Sequence, residues 1–283
     1  AVHSFFVPPL TDLQNVPLHM FAKFANAIYS RTECYETVIG MLDTTFKECC
    51  EPGGDWIDQN VVYSGYRKTH GLKYQSVEEI DLVDIDPTIT ELSQTRRDIR
   101  SLNQDSLLSN KVQITHQDAM IFLKENTDVY NVILIDLPDP NSEALCKLYS
   151  TAFYSLILRR LSIGGTFVTQ ASSPFYAPNV FWSIQKTIQT ASEEQNIPRN
   201  VEVLPYHVNV PSFGEWGFVL ATRHKVEISN LHIDVETRFL QSQRLQSLFV
   251  FGKDMMPRDV EVNRLHHPVL FQYYRQSWLN YNN

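Results

Sequence analysis

Five aspartates stand where carboxylates can do chemistry: Asp84 and Asp86 in "LVDID", Asp118 in "ITHQD", and Asp136 with Asp139 in "LIDLPDP". Each closes a run of apolar, β-prone residues, so each carboxylate is delivered to the end of a strand. In an open parallel sheet, ligands sit beyond the carboxyl ends of the strands. An acid after the second strand of such a unit accepts both hydroxyls of a ribose, and one after the third can take the exocyclic amine of a base. Asp84 and Asp118 fit an adenosine site on that reasoning. Asp also caps helices, and Asp86, directly before Pro87 at a first helical position, fits a cap better. For Asp84 an ordinary solvated strand end, and for Asp118 a cap, stand beside the nucleoside reading.

Asp136 and Asp139 call for more than a nucleoside. Two carboxylates in one loop stiffened by Pro138 and Pro140 make a pocket for a cation. A primary amine, with a pKa of about 10, arrives protonated and cannot attack. One carboxylate can anchor the ammonium form and accept its proton as the nitrogen attacks carbon, while the other holds the rest of the substrate. The plainer alternative is a solvated turn, for which Asp and Pro are ordinary residues.

The elements that must position these acids change character at Glu78. Before it, "PLHMFAKFANAIYSR" predicts a helix over about 17–30, "TVIGMLDTTF" a strand, and "NVVYSGY" and "GLKYQSV" short β-rich runs. After it, strands and helices alternate. "EEIDLVDID", "KVQITHQD", "VYNVILID" and "GGTFVTQAS" read as strands. "PTITELSQTRRDIRSLN", "AMIFLKEN", "SEALCKLYSTAFYSLILRRL" and "APNVFWSIQKTIQTASEEQ" read as helices. "NVEVLPYHVN" and "WGFVLATR" form a closing antiparallel pair, with Trp216 and Phe218 as its core, and "HPVLFQYYRQSWLNY" a final helix. This alternation predicts an α/β fold: a mostly parallel sheet with helices on both faces.

The bulk properties narrow the chemistry. A formal charge of −8 over 283 residues argues against a general nucleic-acid binder and suits a cationic ligand, although most acidic surfaces only keep a protein soluble. The four cysteines, Cys34, Cys49, Cys50 and Cys146, lack zinc-ribbon spacing and read as reduced thiols of a cytoplasmic protein. His207 and the pair His266-His267 have no metal-ligand spacing, so no metal is expected. Arg96-Arg97 and Arg159-Arg160 read as solvated helix faces. No run of eighteen apolar residues predicts a membrane span, and the start "AVHSFFVPPLTDL" lacks the regions of a signal peptide.

From Ser76 onward the chain resembles the spermidine synthases, the polyamine aminopropyltransferases, and most closely their longer bacterial members. "VEEIDLVDIDPTITEL", "DAMIFL", "YNVILIDLPDPNSEALCKLYSTAFY", "GGTFVTQASSP", "PYHVNVPSFGEWGFVLA" and "DMMPRDVEVNRLHHPVL" occur in family order. The resemblance implies a Rossmann-like class I methyltransferase fold. It also implies transfer of an aminopropyl group from decarboxylated S-adenosylmethionine, the co-substrate, to a diamine such as putrescine, releasing methylthioadenosine. Asp84 would then bind the ribose, and Asp118 with Ala119 the adenine side. Asp136 would be the catalytic base, Asp139 would bind the polyamine, Gln170 would sit near the substrate, and Phe213 would stand where many members have tyrosine. A homodimer is compatible with the family.

The resemblance has a gap. The family's glycine-rich "GGGDG" loop, expected ahead of "LKYQSVEEIDLV", has no counterpart in "NVVYSGYRKTHGLKYQSV". The fold is therefore expected to be incomplete on its N-terminal side. Residues of about 17–77 instead resemble a fragment of Harbinger-type DDE transposases, through "VIGMLDTTFKECCEPGG" and the same "NVVYSGYRKTHGLKYQSV". Asp43 would be one of that family's three metal-holding acids, but one acid cannot build a two-metal site. The expected division is 1–77, a transposase-like segment, and 78–283, a spermidine-synthase-like α/β domain with a helical tail. Two rival functions stay open: an inactive nucleoside-binding or scaffold relative, and a DDE transposase remnant.

Overall fold

The computed structural model describes residues 79–195, 201–211, 213–233, 237 and 239–281. The expectations for residues 1–78, including the helix near 17–30, the strand around Asp43 and the cysteines before Cys146, lie outside the described residues.

Within them the alternation read from the sequence is realised. β1 (Ile80–Asp84) leads to α1 (Pro87–Thr95) and α2 (Arg97–Leu102), and β2 (Val112–His116) leads to α3 (Ala119–Glu125). β3 (Tyr130–Ile135) is followed by α4 (Glu143–Cys146) and α5 (Thr151–Arg160). β4 (Leu161–Gln170) precedes α6 (Pro178–Glu194). The hairpin β5 (Glu202–Val210) and β6 (Gly214–Thr222) comes next, then α7 (Ser242–Ser247) and α8 (Val269–Tyr281). β1 pairs with β2 in parallel and β3 with β4 in parallel, while β6 runs antiparallel both to β5, its hairpin partner, and to β4.

Two predicted helices are each broken. The run after Asp86 divides at Arg96, whose extended backbone (φ −76°, ψ 120°) ends α1 and starts α2 while its guanidinium grips Asp98 at 3.0 Å. The run after Ser142 divides at Ser150, a buried residue whose hydroxyl accepts from the Phe153 amide and so caps a new helix. A local side-chain acceptor competes with helix continuation at such a position, a choice that apolar periodicity does not encode.

The expected single sheet is, among the described residues, two: β1–β2, and a four-stranded sheet in the order β3-β4-β6-β5. β1 and β3 share no backbone ladder. A side-chain bond from the Tyr130 hydroxyl to Asp81 Oδ2, 2.5 Å, joins their entering ends instead. Apolar burial follows the same division. The main core is built almost wholly after residue 130, from Tyr149, Phe153, Tyr154, Leu158, Phe167, Phe181, Ile184, Ile188, Val219 and Leu270, all at most 2% exposed. Each such side chain contributes about 1.5–3 kcal/mol by leaving water. Trp216 and Phe218 are not core as expected. Both are half-buried on β6, with Phe218 stacked on Tyr206 at 5.3 Å.

Candidate active site

The strongest constellation lies where β3 and β4 end. These strands run parallel with Ile135 opposite Thr169, so the residues that follow, Asp136 and Gln170, leave the sheet side by side. The loop from Asp136 to Asn141 contains two prolines and therefore has few amide donors of its own. Its carbonyls are gripped from outside. Gln170 Nε2 donates to the Leu137 carbonyl at 2.6 Å, and the Tyr149 hydroxyl lies 3.1 and 3.0 Å from the carbonyls of Leu137 and Pro138. The buried Cys146 thiol faces the Pro140 carbonyl at 3.6 Å. Gln170 cannot be flipped, because its Oε1 accepts from the Ser172 amide at 2.9 Å.

The loop gives its two acids different surroundings. Asp136 accepts no hydrogen bond from the described residues, and the protein around it pushes its carboxyl up to about 6. Its surface is nonetheless open to solvent. Asp139 is half-buried, and burial also raises its carboxyl. Donors from Gln170 at 3.4 Å, Ser172 at 3.3 Å and the Tyr274 side chain oppose that rise by stabilising the anion. Burial thus lifts both carboxyls, and only Asp139 has donors among the described residues that offset part of the rise.

Asp84 and Asp118 form a second pair, at the end of β1–β2. Asp84 faces His116 in the register, and the Gln117 amide donates to the Asp84 carbonyl at 3.0 Å. Asp84 Oδ1 accepts from the Asp86 amide, and Asp86 caps α1 through Thr88, both at 2.8 Å. Asp118 caps α3 with one oxygen, Oδ1, which takes the amides of Met120 and Ile121 at 2.8 and 3.1 Å. Ala119 is the first residue of that helix. Each of the two carboxylates keeps a second oxygen outside these bonds. No hydrogen bond among the described residues joins this pair to Asp136 or Asp139.

Phe213 sits in the β5–β6 turn, 47% exposed, its ring 5.1 Å from Trp216. Because β6 runs antiparallel to β4 with Phe218 opposite Gln170, this turn projects beyond the end of β4 that carries Gln170. Phe213 does not join the hydrogen-bonded group around Asp139.

The other expectations resolve simply. His207 bridges Glu215 at 2.7 Å and the Val250 carbonyl at 2.8 Å, and His267 pairs with Glu261 at 2.9 Å. Arg160 is half-buried, not solvated, and donates to the Leu123 carbonyl at 3.1 Å. Among the described residues no group of three His, Cys, Asp or Glu side chains is placed to hold a metal ion, and no helix is long and apolar enough to cross a membrane.

Residues 64–232 match the model of the spermine/spermidine synthase domain. The chain belongs to the spermine/spermidine synthase family. A polyamine aminopropyltransferase of Oceanobacillus iheyensis is 41% identical over 214 residues, which cover 74% of this chain and 40% of that protein. The enzyme of the same name from Leptospira interrogans is 38% identical over 207 residues, with 73% and 40% covered. The chain thus spans about two fifths of the length of these relatives. Two solved spermidine synthases share its fold with a TM-score of 0.52 at 19% identity: one in complex with the transition-state analogue AdoDATO, the other from Thermotoga maritima. Each comparison covers 68% of this chain, and 66% and 65% of those chains.

Several residues of this constellation went unread in the sequence. Tyr149 lies inside a run that reads only as helix. Ser172 and Tyr274 reach Asp139 from β4's exit and from α8. Asn263, fully buried, donates to the carbonyls of Cys146 and Tyr149 at 2.8 and 3.0 Å and so ties the tail beneath the loop. Only "QASSP" carried a signal, since a Ser-rich stretch before Pro marks a turn.

Proposed function

We propose that this chain catalyses aminopropyl transfer from decarboxylated S-adenosylmethionine to a diamine such as putrescine. One observation carries the reading: two acids share one clamped loop, Asp136 with its carboxyl lifted to about 6 by burial, and Asp139 with three donors that partly offset the rise burial gives it. Asp139, with Gln170 beside it, anchors one ammonium end of the diamine, and Asp136 takes the proton from the other end. The freed nitrogen attacks the methylene carbon next to the sulfonium. The carbon–sulfur bond breaks, its electron pair returns to sulfur as a neutral thioether, and methylthioadenosine leaves. Positioning and deprotonation are the enzyme's main tasks in such a step. Asp84 holds the ribose hydroxyls through the oxygen that its turn leaves over, and Asp118 with Ala119 meets the adenine. Phe213, at the rim, covers the methylene chain.

We further propose that the chain has two parts, 1–77 derived from a DDE transposase and 78–283 from the synthase, with the glycine-rich donor loop lost between them. The division of the described strands into two sheets supports that reading. A cytoplasmic homodimer without nucleic-acid partners accords with the charge of −8, and sedimentation tests the dimer.

The test is release of methylthioadenosine from decarboxylated S-adenosylmethionine by the full-length chain. The release must depend on putrescine and vanish in Asp136→Asn. Heat of binding with methylthioadenosine but no putrescine-dependent release would sink the enzyme and leave a nucleoside binder.

A further inference from the structure

We infer that Ser172 is a positioning residue, held in left-handed backbone so that its hydroxyl orients the Asp139 carboxylate. The inference rests on the reading of Asp139 as the amine anchor.

Ser172 follows β4 by two residues and is fully buried, with φ at 62°. Non-glycine residues enter that region at a cost in stability and persist there only where their surroundings over-determine them. Here the surroundings do so. The Ser172 amide donates to Gln170 Oε1 at 2.9 Å, and its carbonyl accepts from the Gly217 amide at 2.7 Å. Position 217 has no room for a side chain: a Cβ there would lie 2.8 Å from the Ser172 carbonyl oxygen and 2.4 Å from the Phe181 ring. Both neighbours of the Ser172 backbone are therefore fixed.

Glycine would satisfy the same two backbone bonds and adopt the same φ without strain. What it would lack is the hydroxyl. That hydroxyl lies 3.3 Å from Asp139 Oδ2, while Gln170 Nε2 approaches Oδ1 at 3.4 Å. Ser172 on one oxygen and Gln170 on the other, with the Tyr274 side chain as a further donor, fix the plane of the carboxylate, and so the direction from which an ammonium can meet it. Catalytic hydrogen bonds are often long in the free enzyme and tighten on binding.

The full-length chain with Ser172→Gly or Ser172→Ala is compared with the wild type by thermal unfolding, by calorimetric titration with putrescine in the presence of methylthioadenosine, and by carbon NMR of carboxyl-labelled aspartate. Ser172→Gly removes strain and hydroxyl together, so the unfolding midpoint rises by about 2–4 °C. Its putrescine Kd rises by about tenfold, the loss expected for one hydrogen bond to a charged group. Ser172→Ala keeps the strain and loses the hydroxyl, so its binding weakens with no gain in midpoint. A stabilised Ser172→Gly chain that binds putrescine like the wild type overturns the inference, and so does one with no gain in stability. If the wild type itself binds no putrescine, the functional reading falls and the NMR titration decides. An Asp139 that titrates higher in both variants supports orientation by the hydroxyl; an unmoved midpoint refutes it.

Discussion

Gln170 Nε2 lies 2.5 Å from the Tyr149 hydroxyl, and both side chains reach the same carbonyl, that of Leu137, at 2.6 and 3.1 Å. A buried phenol and a buried amide, one entering from the segment before α5 and one from the end of β4, thus converge on the loop between the two acids. Burial drives the Tyr149 phenol well above its ordinary pKa, so it stays a neutral donor throughout the working range.

Tyr149→Phe removes that donor and leaves part of the buried Gln170 amide without its hydroxyl partner. The expected loss is about 1–3 kcal/mol, the cost of an unsatisfied buried polar group. Urea unfolding would read it as a lower midpoint at unchanged slope.

Asp136 gives a pH dependence with a definite sign. Its folded pKa, about 6, stands above the ordinary carboxylate value because burial disfavours the charge. The group's contribution to stability is therefore fully present below the unfolded pKa of about 3.9 and is lost as pH rises through 6. Asp136→Asn should melt higher than the wild type at pH 7, and the difference should shrink towards pH 4. Activity runs the opposite way, since the base must be ionised: kcat/KM should fall on the acid side with a midpoint near 6. A wild-type profile flat from pH 7 to 5 would remove Asp136 as the base.

Asp118 has a structural duty and a proposed ligand duty, and two substitutions separate them. Asp118→Ala should lose about 1 kcal/mol as the α3 cap disappears. Asp118→Ser should keep the cap, because a serine oxygen can also take the Met120 and Ile121 amides, yet be too short to reach an adenine. Both should bind methylthioadenosine more weakly. Thermal melts beside calorimetric titration would show whether affinity falls without stability in the serine variant.

Gly217→Ala should be costly for a reason unrelated to backbone freedom. The new methyl would meet the Phe181 ring and the Ser172 carbonyl well inside contact distance. Overpacking of this kind destabilises by about 1–3 kcal/mol. Because Ser172 must shift, putrescine binding should weaken too, which titration would detect.

Much of this was legible in the chain itself. β-prone runs closed by Asp84, Asp118 and Asp136 marked three strands that pair in parallel, each ending where an acid turns the chain towards a helix or loop. Pro87 behind Asp86 located the first helix and its cap. The unread part is of another kind. Ser172's backbone conformation depends on Gly217, and Asn263's role on Cys146 and Tyr149; both partners are remote in sequence and adjacent only after packing. The break at Ser150 is a contest between a side-chain acceptor and the helix ladder, decided by burial.

On the proposed reading of the site, the Tyr130–Asp81 bridge between two separate ladders has a consequence for ligand design. If donor and acceptor are gripped by different halves, a compound that links adenosine to a diamine acts as a staple across the seam. It would lift the melting temperature by more than adenosine and diamine do together, because it alone couples the loosening of one half to that of the other.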